Sequence, residues 1–162
     1  MQEKFFHRKI FNMRYKDHWK KERKMTDILK FSVPGKPEYV GTVRLAVSSL
    51  ANCAGFDIEA VEDIKVAVSE ACTNVVCHCK PNREDCYEVA CEVGDGRIII
   101  SVVDRAGGYD TEKYQKPVMD SASPKEGGLG IFIIRALMDE VDIFSELGMG
   151  TSIKMVKYLR SF

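Results

Sequence analysis

The strongest constraint on what this chain can fold into lies at residues 86–103. "CYEVACEV" and "RIIISVV" are both β-rich, and the "GDG" between them supplies the residue types that tight turns need. The segment predicts a hairpin, and a hairpin commits the chain to antiparallel pairing. A sheet must bury at least one face, so the flanking segments have to supply further strands and a covering layer.

The rest of the sequence fits that demand. "TDILKFSV" (26–33) alternates apolar and polar residues and predicts a strand, stopped by "PGKP" (34–37). From Glu38, the positions Val40, Val43, Leu45, Val47 and Leu50 predict a helix closed near Gly55. Asp57 is expected to cap a second helix. Its apolar positions are Ile64, Val66, Ala67, Val68, Ala71, Val75 and Val76, and it ends before Pro81. "GGLGIFIIRALMDEV" (127–141) opens on glycines and predicts a third helix, and "DIFSEL", "GMG" and "TSIKMVKYL" predict a final hairpin. The order β, α, α, β, β, loop, α, β, β predicts an α/β (α+β) two-layer sandwich: a mixed, mostly antiparallel sheet with helices on one face. Residues 105–126, with Gly107, Gly108, Pro117 and Pro124, predict a long polar loop, and loops of that length in a compact domain are usually functional.

The 162 residues suit one domain, without internal repeat or interdomain linker. No apolar run reaches the ~18–20 residues of a membrane span, and no apolar signal-peptide core is found near the N-terminus. Six cysteines therefore read as reduced thiols of a cytoplasmic protein. Formal net charge is zero, so a polyanion is not the expected partner of the whole chain, but the charge is uneven. Residues 1–24 carry nine basic against three acidic residues, a net of +6, with Phe5, Phe6, Phe11, Tyr15 and Trp19 interleaved. The readings open for this extension are a surface arm for nucleic acid or membrane, a segment without a dedicated role, or a translated leader with Met25 as the true start. "KKERKM" can be encoded with a purine-rich ribosome-binding run before an ATG, and the genomic codons for Lys21 to Arg23 decide that last case. The domain itself is expected over residues 25–162.

Four short stretches could carry chemistry. Glu70, Asn74 and His78 recur every four residues in "SEACTNVVCH" and share one helical face. A carboxylate there can accept a proton, and a carboxamide oxygen can hold a hard cation such as Mg²⁺; a partly exposed helix edge would also explain the stripe. Asp104 ends an apolar strand and is followed by Gly107 and Gly108, which fits either a cleft or a capped surface turn. "EGGLGIF" (126–132) puts glycines at a helix start, where free N–H groups and the helix dipole suit phosphate oxygens. It is neither a Walker A loop nor a dinucleotide fingerprint, because no Lys-Ser/Thr follows and no third glycine appears. Gly150-Thr151 opens the last strand with a hydroxyl. Cys77-His78-Cys79 does not suit a metal, because helical neighbours two apart diverge and no paired C-x2-C sets exist.

Taken in order, these stretches resemble the Bergerat ATP-binding fold of the GHKL superfamily. Within it, "PEYVGTVRLAVSSLA", "IKVAVSEACTNVV", "EGGLGIFII" and "LMDEV" are similar to the anti-sigma factor serine-protein kinases of the sigma-B and sporulation type. The resemblance spans about residues 26–160. It implies Glu70 as general base, Asn74 as Mg²⁺ ligand and Asp104 as reader of the adenine amino group. It implies Gly108 on the adenine-side turn, Gly128, Leu129 and Gly130 at the phosphates, Thr151 near the base, and Arg44 at the protein partners. The pattern Asp-x-Gly-x-Gly is broken here, since Ala106 stands at the first glycine.

The implied reaction moves the γ-phosphoryl group of Mg·ATP to a serine or threonine, under a lid at 111–126. The implied partners are a sigma factor and an anti-anti-sigma antagonist of the STAS type, held by a homodimer without direct contact to DNA or membrane. Two alternatives stand beside this reading. One is a non-catalytic nucleotide-binding module that only sequesters a partner. The other is a switch kinase acting on a STAS scaffold without binding sigma.

Overall fold

The computed structural model describes residues 27–78, 86–104, 128–146 and 150–160. Among these residues five strands form one sheet: β1 (Asp27–Pro34), β2 (Cys86–Gly94), β3 (Arg97–Asp104), β4 (Glu140–Glu146) and β5 (Gly150–Tyr158). Their order is β1-β2-β3-β5-β4, and all four described pairings are antiparallel. Among the described residues three α-helices cover one face: α1 (Val40–Cys53), α2 (Ile58–His78) and α3 (Gly128–Leu137), with α2 in the middle, packed on both others.

Local chemistry sets most of these boundaries. The β2–β3 turn pairs Gly94 with Arg97, and its two central residues, Asp95 (φ 52°) and Gly96 (φ 70°), both take positive φ. That geometry matches the right-handed twist of the flanking strands, and it selects an Asp-Gly pair. Asp57 caps α2 as expected, its Oδ1 accepting from the Ala60 N–H at 2.7 Å. α1 ends in a Schellman motif: the Gly55 N–H donates to Asn52 O and the Phe56 N–H to Ala51 O, while Phe56 itself is buried.

Alternation along the strands sorts the two sheet faces. Ile98, Ile100, Val102 and Asp104 of β3 are buried toward the helices, as are Tyr87, Val89 and Cys91 of β2. From above, α1 contributes Val43, Val47 and Ala51, and α2 contributes Ile64, Ala67, Val68, Ala71 and Val75. At roughly 25 cal/mol per Å² of apolar surface removed from water, this layer contact is the main force holding helices to sheet.

The structure corrects three expectations. Leu45 is 63% exposed, because it stands two residues after Val43 and so off the Val43–Val47–Ala51 stripe; Val66 is exposed for the same geometric reason. The third helix does not run to residue 141. It ends at Leu137, and Glu140 and Val141 already pair with Val156 and Met155 in β4. Strand pairing takes over there because the Asp139 N–H donates to Val156 O, and Asp139 Oδ2 accepts from the Tyr158 N–H at 2.7 Å.

Candidate functional site

The decisive geometry is at the start of α3. A methyl group built on Gly130 would lie 2.8 Å from Glu70 Oε2, 3.3 Å from Asn74 Oδ1 and 3.4 Å from Asn74 Nδ2. Two features sixty residues apart in sequence therefore meet: the first turn of α3 lies directly against the polar pair on α2. Glycine is the residue that lets the backbone approach this closely. Leu129, next to Gly130, points outward and is 71% exposed. Gly128 opens the helix.

A second polar group lies on the sheet below. Asp104, the last residue of β3, pairs with Thr151 of β5, and Thr151 pairs with Ser145 of β4. Asp104 and Thr151 are 4% and 6% exposed, in a layer filled mostly by apolar side chains. Ser145 and Thr151 share a hydrogen bond of 2.9 Å between hydroxyls. A carboxylate is rarely this buried without a task or partners, because removing it from water is costly. Ser145 was not legible in the sequence. Its role depends on the β4–β5 register, and the only hint was its position in the strand before "GMG".

Two contacts fix how α2 lies over these strands. Near its start, Asp63 meets Lys157 of β5. Further along, the buried Cys72 faces Tyr87 of β2, whose hydroxyl is close enough to influence the thiol. Extending the β2–β3 register by one residue puts Tyr87 beside Asp104. The half of α2 bearing Glu70 and Asn74 thus runs toward the end of the sheet where Asp104, Thr151 and Ser145 are. Burial pushes the Cys72 thiol up to about 11, against a smaller lowering by the Tyr87 hydroxyl. Burial, and then the neighbouring Cys72, pushes Cys91 to about 12. Both are inert packing thiols.

Asn74 Nδ2 is buried and makes no hydrogen bond among the described residues. An orphaned amide beside a carboxylate and a helix start fits a polar ligand, since buried polar groups are normally satisfied. The carboxamide and carboxylate oxygens form an all-oxygen donor set, as a hard divalent cation requires. Of the other expected site residues, Arg44 is exposed on α1 and is not part of this cluster. Gly108, Ala106 and the lid at 111–126 lie outside the described residues, as do residues 1–24, and nothing is described of the His78 side chain.

Comparison with known proteins agrees with this geometry. Residues 33–157 match the family model described as a histidine kinase-like ATPase domain. A serine-protein kinase RsbW from Oceanobacillus iheyensis is 40% identical over 140 residues, covering 82% of this chain and 87% of that protein. The Bacillus pumilus and Listeria monocytogenes proteins of the same name are each 37% identical, over 82% and 83% of this chain and 86% and 89% of theirs. Among solved structures, the RsbU and RsbW domains of a Mycobacterium tuberculosis protein superpose with a TM-score of 0.61 at 24% identity, over 83% of this chain. This chain spans 33% of that one. A histidine kinase domain from Erythrobacter litoralis gives a TM-score of 0.50 at 23% identity, over 78% of this chain and 61% of that one. The two structures bear on the fold alone.

Proposed function

Since the chain belongs to the histidine kinase-like ATPase domain family and, within it, to the RsbW serine-protein kinases, we propose that it transfers the γ-phosphoryl group of ATP to a serine of a partner protein. The observation that carries this reading is the contact of Gly130 with Glu70 and Asn74. It joins a helix start, a carboxylate and a carboxamide at one point, on the half of α2 that runs toward the sheet end bearing the buried Asp104–Thr151 pair.

Phosphoryl transfer asks a protein chiefly for positioning and charge stabilisation. The free N–H groups at Gly128, Leu129 and Gly130 hold phosphate oxygens. Asp104 accepts from the adenine amino group, with Thr151 beside it and Gly108 on the adjoining turn. Glu70 takes the proton from the attacking serine hydroxyl. Asn74 would hold Mg²⁺ through its side-chain oxygen, and the ion would supply positive charge to offset that of the phosphates.

The partners follow the same reading: a sigma factor that the protein sequesters, and an anti-anti-sigma protein of the STAS type that it phosphorylates. Arg44, exposed on α1, is assigned to those contacts. Two copies would pair through β1, an edge strand among the described residues, where Ile28 and Leu29 are 56% and 44% exposed. The site of action is the cytoplasm. Among the described residues no helix is long and apolar enough to cross a membrane.

The test is transfer from γ-labelled Mg·ATP to a purified STAS antagonist. Phosphoserine on the antagonist is expected. Bound nucleotide without phosphoserine would overturn the kinase reading in favour of a sequestering module.

A further inference from the structure

We propose that Lys157 is a positioning residue for the phosphoryl-transfer site, acting from outside it by locking α2 against α3. This inference rests on the reading of Glu70, Asn74 and Gly130 given above.

Lys157 is 4% exposed, on the strand face whose neighbours are core residues. Its ammonium makes two contacts: 2.9 Å to Asp63 Oδ2 on α2 and 2.6 Å to the carbonyl oxygen of Leu137, the last residue of α3. A lysine is rarely this buried without paired partners. Here the partners belong to the two helices that form the site. Asp63 precedes Glu70 by two turns of α2, and Leu137 follows Gly130 by two turns of α3, about 10 Å along each helix. The two helices therefore run antiparallel, pinned at one end by Lys157 and meeting at the other where Gly130 abuts Glu70 and Asn74.

The choice of anchor has a physical reason. The end carbonyls of a helix lack intrahelical partners and carry its negative dipole end, which a cation satisfies. Just beyond Leu137, the backbone bond from Asp139 N to Val156 O and the bond from Tyr158 N to Asp139 Oδ2 fasten the same end of α3 to β5. Those two bonds hold α3 to the sheet. Only the Lys157 ammonium also reaches α2 through Asp63, so it alone among these contacts sets the spacing between the helices. A short stiff helix fixed at its C-terminus carries that spacing to its N-terminus.

The experiment measures kcat, KM for ATP and thermal midpoint for wild type, Lys157→Met, Lys157→Arg and Asp63→Asn, using Mg·ATP and a STAS antagonist. Methionine fills the same space but leaves Asp63 and the Leu137 carbonyl without their cation; because the Asp63 side chain is 35% exposed, water can take the place of the ammonium there and soften the loss. The expected result for Lys157→Met is a lowered midpoint in a protein that still folds, with kcat lowered about 10- to 100-fold, the scale of an ångström of misplacement. Lys157→Arg should recover much of that loss. Asp63→Asn, whose side chain is 35% exposed and so tolerant of change, should lower kcat by a smaller factor. Wild-type kcat and KM in Lys157→Met overturns the proposal. If that variant does not fold, unchanged kcat in Asp63→Asn overturns it equally. A wild-type protein that transfers no phosphate defeats the kinase reading instead, so the two failures are distinct.

Discussion

Gly130→Ala separates stability from chemistry at the site. The added methyl would lie 2.8 Å from Glu70 Oε2, whereas ordinary contact starts at 3.4 Å. The carboxylate must then retreat by about 0.6 Å, the difference between those distances. It can do so cheaply, because it is the free end of a flexible side chain. Meanwhile alanine is better than glycine in a helix by about 0.5–1 kcal/mol. The variant should therefore be as stable as wild type, or up to about 1 kcal/mol more stable, by urea unfolding. Phosphoryl transfer should nonetheless fall about 10- to 100-fold, because displacement on this scale takes the base out of reach of the hydroxyl. Both measurements belong on the same preparation. An unchanged single-turnover rate would show that the Gly130–Glu70 contact has no part in catalysis. A loss of more than about 2 kcal/mol would refute the premise that only a flexible side chain crowds the glycine.

Asn74→Ala should weaken Mg·ATP binding about 10- to 100-fold, the worth of a hydrogen-bonding group at a charged ligand; calorimetry in excess Mg²⁺ measures it. Little fold stability should be lost, because the buried Nδ2 has no described partner to forfeit. Ser145→Ala removes the 2.9 Å bond to Thr151 and should cost about 1 kcal/mol in urea unfolding. Among the described cysteines, a thiol reagent at pH 8 should modify exposed Cys53 and Cys77 and spare buried Cys72 and Cys91 until the protein unfolds. The folded state keeps the Cys72 and Cys91 protons with values near 11 and 12, against an ordinary 9.0. Their contribution to stability is therefore complete below pH 9 and is lost as pH rises from 9 toward 12. Denaturant midpoints across that range check the slope.

Much of this was legible from one dimension. The Glu70–Asn74 pair follows from helical spacing, the β2–β3 hairpin from Asp95-Gly96, and the start of α2 from Asp57. What escaped depends on contacts between elements. "LMDEV" has an apolar pattern that suits helix or strand, and the bonds of Asp139 to β5 decide between them. Leu45 and Val66 are apolar yet face outward, since packing selects one stripe of each helix and leaves other apolar positions exposed. Nothing in "IKMVKYL" singles out Lys157; its role depends on Asp63 and the end of α3 meeting above it. The meeting of Gly130 with Glu70 is likewise a tertiary fact, because sequence spacing carries no information across sixty residues.

The most direct test of the account is Glu70→Gln, with nucleotide binding and phosphoryl transfer measured side by side. Glutamine keeps the shape and the contact beside Gly130 but cannot accept the serine proton. Mg·ATP affinity should stay within about threefold of wild type, while transfer to the antagonist should fall by about 10²-fold or more. Transfer at the wild-type rate would contradict the assignment of Glu70 as the base.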